Sequence, residues 1–140
     1  MASARHRQFI DVAVNLLDPM FQGVYNEKQR HESDIQDILE RADTAGVRKI
    51  MITGTTTEES AQAAQMAADL ESPVPLFFTC GVHPTCCNEY QEGEDAVEEK
   101  LLRIIAAGKQ SGKLVALGEA GLDYDRLHFC SKDLQVYDNC

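Results

Sequence analysis

Short apolar runs alternate along the chain with stretches in which apolar residues recur at helical spacing. Four of these runs predict β-strands, at residues 9–15, 47–53, 76–82 and 114–118. The first run is rich in β-branched residues and predicts a strand that is buried on both faces. Strands that alternate with helices over short connections predict a parallel α/β sheet with right-handed crossovers. An open doubly wound sheet and part of a closed barrel would both produce this pattern.

Residues that can cap a helix precede the helical stretches. Two pairs have the spacing of a capping box, Ser33 with Gln36 and Thr56 with Glu59. A third helix is predicted over residues 94–107, with Gly108 after its last turn. Ser131 can cap a fourth helix. A flavodoxin-like domain would need a phosphate-binding loop after the first strand, and residues 16–23 do not resemble one.

The composition is that of a globular chain. Its 140 residues carry a formal net charge of −10, with 44% hydrophobic and 26% charged residues, which excludes a largely disordered chain. The length suits one compact domain, residues 1–140. A balance this acidic argues against a basic patch that binds nucleic acid by counterion release.

The five cysteines form no Cys-x-x-Cys pair, so neither a disulfide framework nor a structural zinc site is indicated. Residues 1–8 lack the apolar stretch of a secretory signal, and no apolar run is long enough to cross a bilayer. We therefore expect reduced thiols in the nucleus or the cytosol, and no membrane partner.

Polar residues stand at the carboxyl ends of the predicted strands, where both candidate folds bind ligands. They are Asn15, Thr55, His83 and Glu119, one after each strand. Glu119 lies between small residues in the segment GEAGLD, so that a metal ion can approach its carboxylate closely. Carboxylate oxygen suits Mg²⁺ or Mn²⁺ and also contributes to catalytic Zn²⁺ sites. The alternative is that Glu119 caps a turn.

Two of the candidate residues have a structural interpretation beside the functional one. His83 could be a ligand or a hydrogen-bonded structural residue, and Pro84 favours an extended backbone that directs the imidazole out of the strand. Asp11 lies four residues before Asn15, so an extended strand points both side chains to one side. The alternative for Asp11 is a buried, hydrogen-bonded carboxylate.

The loop after Glu119 and the loop after the second strand could each bind an anion. Arg126 could bind a phosphate, or pair with the nearby Asp123 or Asp125, which we favour. The three threonines at residues 55–57 could donate to an anion at a helix N-terminus. Helix capping explains the same threonines.

Four segments together resemble a known family. FIDVAVNL (residues 9–16), ITGT (52–55), GVHPT (81–85) and GEAGLDYDR (118–126) occur in the order and spacing of the TatD-type metal-dependent deoxyribonucleases. Two further segments, DPMFQGVY and FCSKD, are similar to the eukaryotic branch of that family. The resemblance covers nearly the whole chain, and the pair GVHP and GE-x-GLD is its most specific part.

The resemblance implies a (β/α)8 barrel that acts as a 3′–5′ exonuclease on DNA with two divalent metal ions. These ions would be Mg²⁺ or Mn²⁺, with Zn²⁺ as an alternative. Glu119 matches the bridging metal ligand, and His83 matches a position beside the substrate phosphate. Asp11 and Asn15 stand where many relatives carry a His-x-His metal pair. Bound cations would let an acidic protein bind a polyanion.

The chain departs from the family pattern at two places. Ala120 stands where the family usually has Cys or a similar small residue, and the chain stops before the later strands with two metal-binding histidines and an aspartate. We therefore expect the first four βα units of a TIM-type barrel, with incomplete metal ligands. The alternative function is an inactive truncated form that binds a partner, or a second copy, through exposed sheet edges.

Overall fold

The computed structural model describes residues 7–137, apart from the side chains of Glu92, Glu94 and Tyr137, and statements about residues 7–137 below do not include those three side chains. The strands in chain order are β1 (Phe9–Val14), β2 (Val24–Tyr25), β3 (Lys28–Gln29), β4 (Val47–Ile52), β5 (Leu76–Cys80) and β6 (Leu114–Leu117). The α-helices are α1 (Ile35–Thr44), α2 (Thr57–Asp69), α3 (Glu94–Ser111) and α4 (Lys132–Tyr137). Two 3₁₀ segments, Pro19–Gln22 and Pro84–Glu92, and the β2–β3 hairpin were not predicted.

The four predicted strands form one parallel sheet in the order β1-β4-β5-β6. Neighbouring strands in the sheet are therefore consecutive βα units, as in a barrel and unlike a doubly wound sheet, whose order reverses. The predicted α/β class and parallel pairing are confirmed. None of the helices within residues 7–137 is long and apolar enough to span a membrane.

The core lies between the sheet and the helices that connect its strands. Leu39 of α1, Ile52 of β4, Ala63 of α2 and Phe78 of β5 are completely or almost completely buried there. Burial of a side chain such as Leu or Phe contributes about 1.5–3 kcal/mol. This layer fixes the central strands, and with them the ends at which the candidate site lies.

The two edge strands are largely exposed. Phe9, Ile10 and Val12 of β1 are 50–60% exposed, and Leu117 of β6 is 69% exposed. The prediction that the first strand is buried on both faces was wrong, because β1 pairs on one side only, with β4. Among the described residues, no second layer or neighbouring strand covers it.

One of the two predicted capping boxes forms. The Thr56 hydroxyl accepts a hydrogen bond from the Glu59 amide at 3.0 Å and caps α2 as predicted. The box predicted at Ser33 was wrong: Asp34 is the N-cap of α1, without a side-chain cap, and the Ser33 hydroxyl donates instead to the Phe21 carbonyl. The 3₁₀ segment that holds Phe21 was not visible in the apolar pattern.

The third helix does not end at Gly108 as predicted but continues to Ser111. A Cβ at Gly108 would lie 2.6 Å from the Phe78 ring and 2.7 Å from the Leu114 Cβ. The glycine therefore allows α3 to pack closely on the sheet, and Gly112, in the left-handed conformation, ends the helix. The fourth helix follows Ser131 as predicted, with the Leu134 amide donating to the Ser131 hydroxyl at 3.4 Å.

Candidate active site

A polar cleft of about 360 Å³ lies at the carboxyl ends of the four parallel strands. Four of the five predicted site residues line it: Asn15, His83, Glu119 and Arg126. They follow β1, β5 and β6, so the parallel sheet brings together side chains that are more than a hundred residues apart in the chain. This is the position at which parallel βα folds bind ligands.

Asp11 does not reach this cleft. It is an exposed residue in the middle of β1, paired with Ile50, and the ladder shifts register between Asp11 and Val14. The extra residue is a β-bulge, which breaks the alternation of side chains. Asp11 is exposed, so the alternative that it is a buried carboxylate is wrong, and it does not line the cleft with Asn15 as their spacing suggested.

The backbone beneath Glu119 is set by close contact between two strand ends. A Cβ at Gly81 would lie 2.5 Å from the Glu119 carbonyl oxygen and 2.6 Å from the Gly118 carbonyl carbon. Only a glycine permits this approach. The hydroxyl of Ser60, completely buried on α2, bonds the amide and the carbonyl of Gly81, each at 3.2 Å. Gly81 thus fixes the position of the backbone from which the Glu119 side chain extends.

His83 is extended as Pro84 predicted, with φ −66° and ψ 143°. Its Nδ1 accepts the Thr85 amide at 3.1 Å and lies 2.7 Å from the Thr85 hydroxyl. Because a backbone amide can only donate, Nδ1 is the unprotonated nitrogen and Nε2 carries the hydrogen. His83 therefore caps the 3₁₀ segment that follows it and has an N–H to donate to an anion.

Arg126 is held by Asp123, as the favoured interpretation of this loop predicted. The Nε and one terminal nitrogen of the guanidinium each lie 2.6 Å from the Asp123 Oδ2. Desolvation would raise the pKa of Asp123, but the hydrogen bond and charge of Arg126, with backbone amides, lower it below its ordinary value. The other terminal nitrogen of Arg126 has no partner within residues 7–137 and can bind an anion.

Gln135 of α4 fixes the loop that carries Arg126, and sequence reasoning missed it. Its side chain is completely buried, accepts the Asp123 amide at 2.7 Å and donates to the carbonyls of Asp123 and Cys130, each at 3.0 Å. A buried amide that pairs with backbone groups on both sides clamps a loop. A glutamine near the end of a chain gives no such signal, because its partners are known only from the fold.

The N-terminus of α2 is occupied by the protein's own carboxylates. Glu59 accepts hydrogen bonds from the Thr55 amide, at 3.1 Å, and from the Thr55 hydroxyl. Glu89 accepts the Thr57 amide at 3.2 Å. Thr56 is therefore the cap of α2, and the amides of Thr55 and Thr57 that an anion would need are already paired with carboxylates.

The environment disfavours the thiolate form of two cysteines near the strand ends, Cys80 and Cys86. Burial raises the pKa of Cys86, which lines the cleft, and the charges of Glu89 and Glu59 raise it further against the hydrogen bond from Thr85. Burial also raises the pKa of Cys80, against a hydrogen bond from Ser60. The reactive form of cysteine is the thiolate, so the raised pKa makes both thiols less reactive than an ordinary cysteine.

The donors in the cleft do not make a metal site by themselves. Within residues 7–137, no group of three His, Cys, Asp or Glu side chains is placed to hold an ion. Among the described residues, Glu119 is the one carboxylate that lines the cleft, and the Nε2 of His83 carries a hydrogen. A pair of ions needs more oxygen and nitrogen ligands than this.

The consecutive order of parallel strands and the polar cleft at their carboxyl ends define part of a βα-barrel. The family model described as TatD related DNase matches residues 10–137. The chain belongs to this TatD DNase family, as the motifs indicated.

Individual relatives agree with the family model. The chain is 42% identical over 137 residues to the Deoxyribonuclease Tat-D of Schizosaccharomyces pombe, covering 96% of this chain and 43% of that protein. It is 38% identical over 116 residues to the 3′-5′ ssDNA/RNA exonuclease TatD of Yersinia pseudotuberculosis, covering 83% and 37%. The chain therefore spans about two fifths of the length of these curated relatives.

Solved structures show the same fold. The hydrolase TatD family protein from Entamoeba histolytica superposes with a TM-score of 0.82 at 34% identity, over 97% of this chain and 44% of that one. An amidohydrolase from Saccharomyces cerevisiae gives a TM-score of 0.78 at 35% identity, over 91% and 41%. The predicted fold, part of a TIM-type barrel, is thereby confirmed.

Proposed function

We propose that this protein is a divalent-metal-dependent deoxyribonuclease that removes nucleotides from the 3′ end of DNA, and that this chain supplies the phosphate-binding part of its active site. The observation that carries the proposal is the meeting of Asn15, His83, Glu119 and Arg126 in one cleft at the strand ends. Membership of the TatD DNase family and the names of the relatives support the same activity.

His83 and Arg126 are the groups that would bind the scissile phosphate. His83 has its hydrogen on Nε2, and Arg126 has a terminal nitrogen left over from its pair with Asp123. Charge-assisted hydrogen bonds from such donors are among the stronger polar interactions. Two fixed donors in one cleft would orient the phosphodiester, and the neutral amide of Asn15 would add a further polar contact without repelling it.

Glu119 is the residue that we propose as a metal ligand. The family implies dependence on divalent ions, and a carboxylate suits Mg²⁺ or Mn²⁺ better than the softer alternatives, with Zn²⁺ as the third candidate. Bound ions would polarise the phosphodiester and supply positive charge to an acidic protein. The described residues do not complete the ligand set, so the remaining ligands would come from outside residues 7–137.

A nuclease assay on the 140-residue chain tests this function. A 5′-labelled oligonucleotide, single-stranded or in a duplex, is incubated with Mg²⁺ or Mn²⁺, and we expect stepwise shortening from the 3′ end. Glu119→Gln should reduce the rate at least about a hundredfold, the effect of losing one charged group of a catalytic site. Glu40→Gln on the exposed face of α1 is the matched control and should leave the rate unchanged.

Two results of this assay would contradict the proposal in whole or in part. If the chain cleaves no DNA with any of the three ions, the proposal fails for this chain, and the inactive form inferred from the sequence is favoured. Equal rates for the wild type and Glu119→Gln would remove Glu119 from the mechanism while retaining the activity.

We further propose that the chain associates with a second copy through its sheet edges. Val12 of β1 and Val115 of β6 are more than half exposed on strands that pair on one side only. Unpaired edges of this kind are templates for strand pairing. Sedimentation should show a dimer or a larger species for the wild type and a monomer for Val12→Lys. Leu102→Lys on the exposed side of α3 is the control, and a monomeric wild type contradicts association.

We place the protein in the nucleus or the cytosol, on the argument that its cysteines are expected to be reduced. Cell fractionation with an antibody to the chain tests this proposal, and recovery in a secretory compartment would contradict it.

A further inference from the structure

The polar cleft continues past Asn15 into a second pocket of about 230 Å³, which we call the end pocket. Asn15, Thr53 and Thr55 line both spaces, so the two are adjacent. The far walls of the end pocket are different in character from the cleft: they carry the carboxylates of Asp18 and Glu59 and no cationic side chain. The cleft, by contrast, contains Arg126.

Thr53 lines both the cleft and the end pocket, and its side-chain hydroxyl is the group of interest. The residue is 6% exposed, and its hydroxyl forms no hydrogen bond to any group of residues 7–137, although its amide is paired with the Val14 carbonyl. Such a buried hydroxyl without a partner costs stability. A group with this cost that lines a pocket is suited to bind a ligand.

The two carboxylates are fixed in place by local structure. Asp18 accepts the Met20 amide at 2.9 Å and caps the 3₁₀ segment after it. Glu59 accepts the Thr55 amide at 3.1 Å. They therefore cannot move away from a ligand without loss of these bonds, and they repel a phosphate that enters the pocket.

We propose that the end pocket binds the uncharged terminal nucleoside of a DNA strand through the Thr53 hydroxyl, and that Asp18 and Glu59 reject a strand that carries a further phosphate there. The inference rests on the proposed nuclease function. With the scissile phosphate at His83 and Arg126, the terminal nucleoside enters the end pocket. A 3′-hydroxyl end fits, whereas a 3′-phosphate or a continuing strand places a negative charge between two carboxylates.

Binding of short oligonucleotides tests the end pocket without requiring turnover. Fluorescence anisotropy is measured with 5′-fluorescein-labelled pentathymidylate in Mg²⁺, with a phosphorothioate at the last linkage and either a 3′-hydroxyl or a 3′-phosphate end. We expect the hydroxyl end to bind roughly five- to twentyfold more tightly. Asp18→Asn and Glu59→Gln should each reduce this ratio about two- to fivefold, the effect of one exposed charge pair. Asp37→Asn on α1 is the control and should leave the ratio unchanged.

The substitution Thr53→Val separates a ligand-binding role from a structural one. It removes an unpaired buried hydroxyl, so the unfolding temperature should stay the same or increase. Binding of the hydroxyl-ended oligonucleotide should nevertheless weaken about three- to tenfold. A merely structural threonine would show unchanged binding, and that result overturns the role of Thr53.

The outcomes distinguish this inference from the function on which it rests. Equal binding of the two ends, together with cleavage of DNA, overturns the end pocket and leaves the nuclease function in place. Tighter binding of the 3′-phosphate end overturns the end pocket as well. If neither oligonucleotide binds and no DNA is cleaved, both proposals fail.

Discussion

The side chain of Glu119 extends from a point where the backbone after β6 lies against the backbone of Gly81, at the end of β5. Asn15, Glu119 and Arg126 are exposed and His83 is half-buried, but the contact beneath them is between backbone atoms and admits no Cβ. Ser60 holds the same glycine from the helix side. The placement of one carboxylate therefore depends on two residues that never touch a substrate.

Gly81→Ala should consequently affect both stability and the site. The added Cβ would overlap the Glu119 carbonyl, so the strand ends must separate, at a cost of about 1–3 kcal/mol. Thermal unfolding should show the loss, and nuclease activity should decrease by more than the folded fraction explains. Gly112→Ala is the matched control. It also destabilises the protein, because an alanine is strained at this positive φ, but its Cβ would meet no atom within 4 Å, so the activity of the folded protein should be unchanged.

The pair formed by Asp123 and Arg126 makes a prediction about pH. The pKa of Asp123 is lower in the folded chain than its ordinary value of 3.8, so its ionised form stabilises the loop at all higher pH values. This contribution is lost only as the pH falls below about 3.8 and through the lowered pKa. Carboxyl NMR should follow the titration, and Arg126→Gln should raise the pKa of Asp123. An ordinary pKa in the wild type would contradict the pairing.

At the scale of elements, the short helix α4 stabilises the neighbouring loop that carries Arg126. Gln135 is buried and makes three hydrogen bonds to the backbone of the loop that carries Arg126. The side chain of Asn88 also donates to the Phe129 carbonyl at 2.8 Å, which ties the same loop to the 3₁₀ segment after β5. The cleft wall on this side is thus built by hydrogen bonds more than by apolar burial.

Removal of this clamp should release the loop. Gln135→Ala removes three hydrogen bonds to backbone groups, and we expect a loss of about 2–4 kcal/mol. Hydrogen exchange should show faster exchange over residues 119–130, while the central strands keep their protection. Gln36→Ala, which removes one exposed hydrogen bond to the Glu71 carbonyl, should cost less than about 1 kcal/mol. Equal losses in the two variants would contradict the clamp.

The sequence predicted the sheet and its crossovers well, because apolar runs and helical stripes report directly on burial. The capping box at Thr56 was correct, and the one at Ser33 was wrong, because the 3₁₀ segment before α1 offers Ser33 a carbonyl outside the helix. Gly108 looked like a helix end, whereas its missing side chain serves the packing of α3 on Phe78. Residues whose role depends on a distant partner leave no local pattern.

In the candidate site, too, residues with a local sequence signal were predicted and residues defined by distant contacts were not. Strand ends, and the family motifs at them, predicted His83, Glu119 and Arg126 as neighbours, and the cleft contains all three. Asp11 does not line the cleft, and the register shift that follows it in β1 cannot be read from alternation. Thr53 and Gln135 were missed, since the first belongs to an apolar run and the second is defined by contacts that only the fold creates.

For the whole molecule, the absence of a complete ligand set within residues 7–137 makes a prediction about metal ions. A ligand that binds only the folded state raises its stability, in proportion to the logarithm of its concentration over its Kd. We expect the ions that support cleavage to bind this chain only weakly, so its unfolding temperature should change by less than about 1 °C between EDTA and 1 mM Mn²⁺. A rise of several degrees that is lost in Glu119→Gln would show a tight metal site that the described residues do not form.

Three small residues lie behind the cleft: Gly54, Ser60 and Gly81. They tolerate substitution less than the side chains at the front of the cleft. A Cβ at Gly54 would lie 2.7 Å from Ser60, and one at Gly81 would meet the next strand, so neither glycine can be replaced without moving backbone. The exposed residues in front, such as Asn15, have no such constraint. Descendants of this scaffold can thus exchange the chemistry of the cleft one side chain at a time while inheriting its frame unchanged.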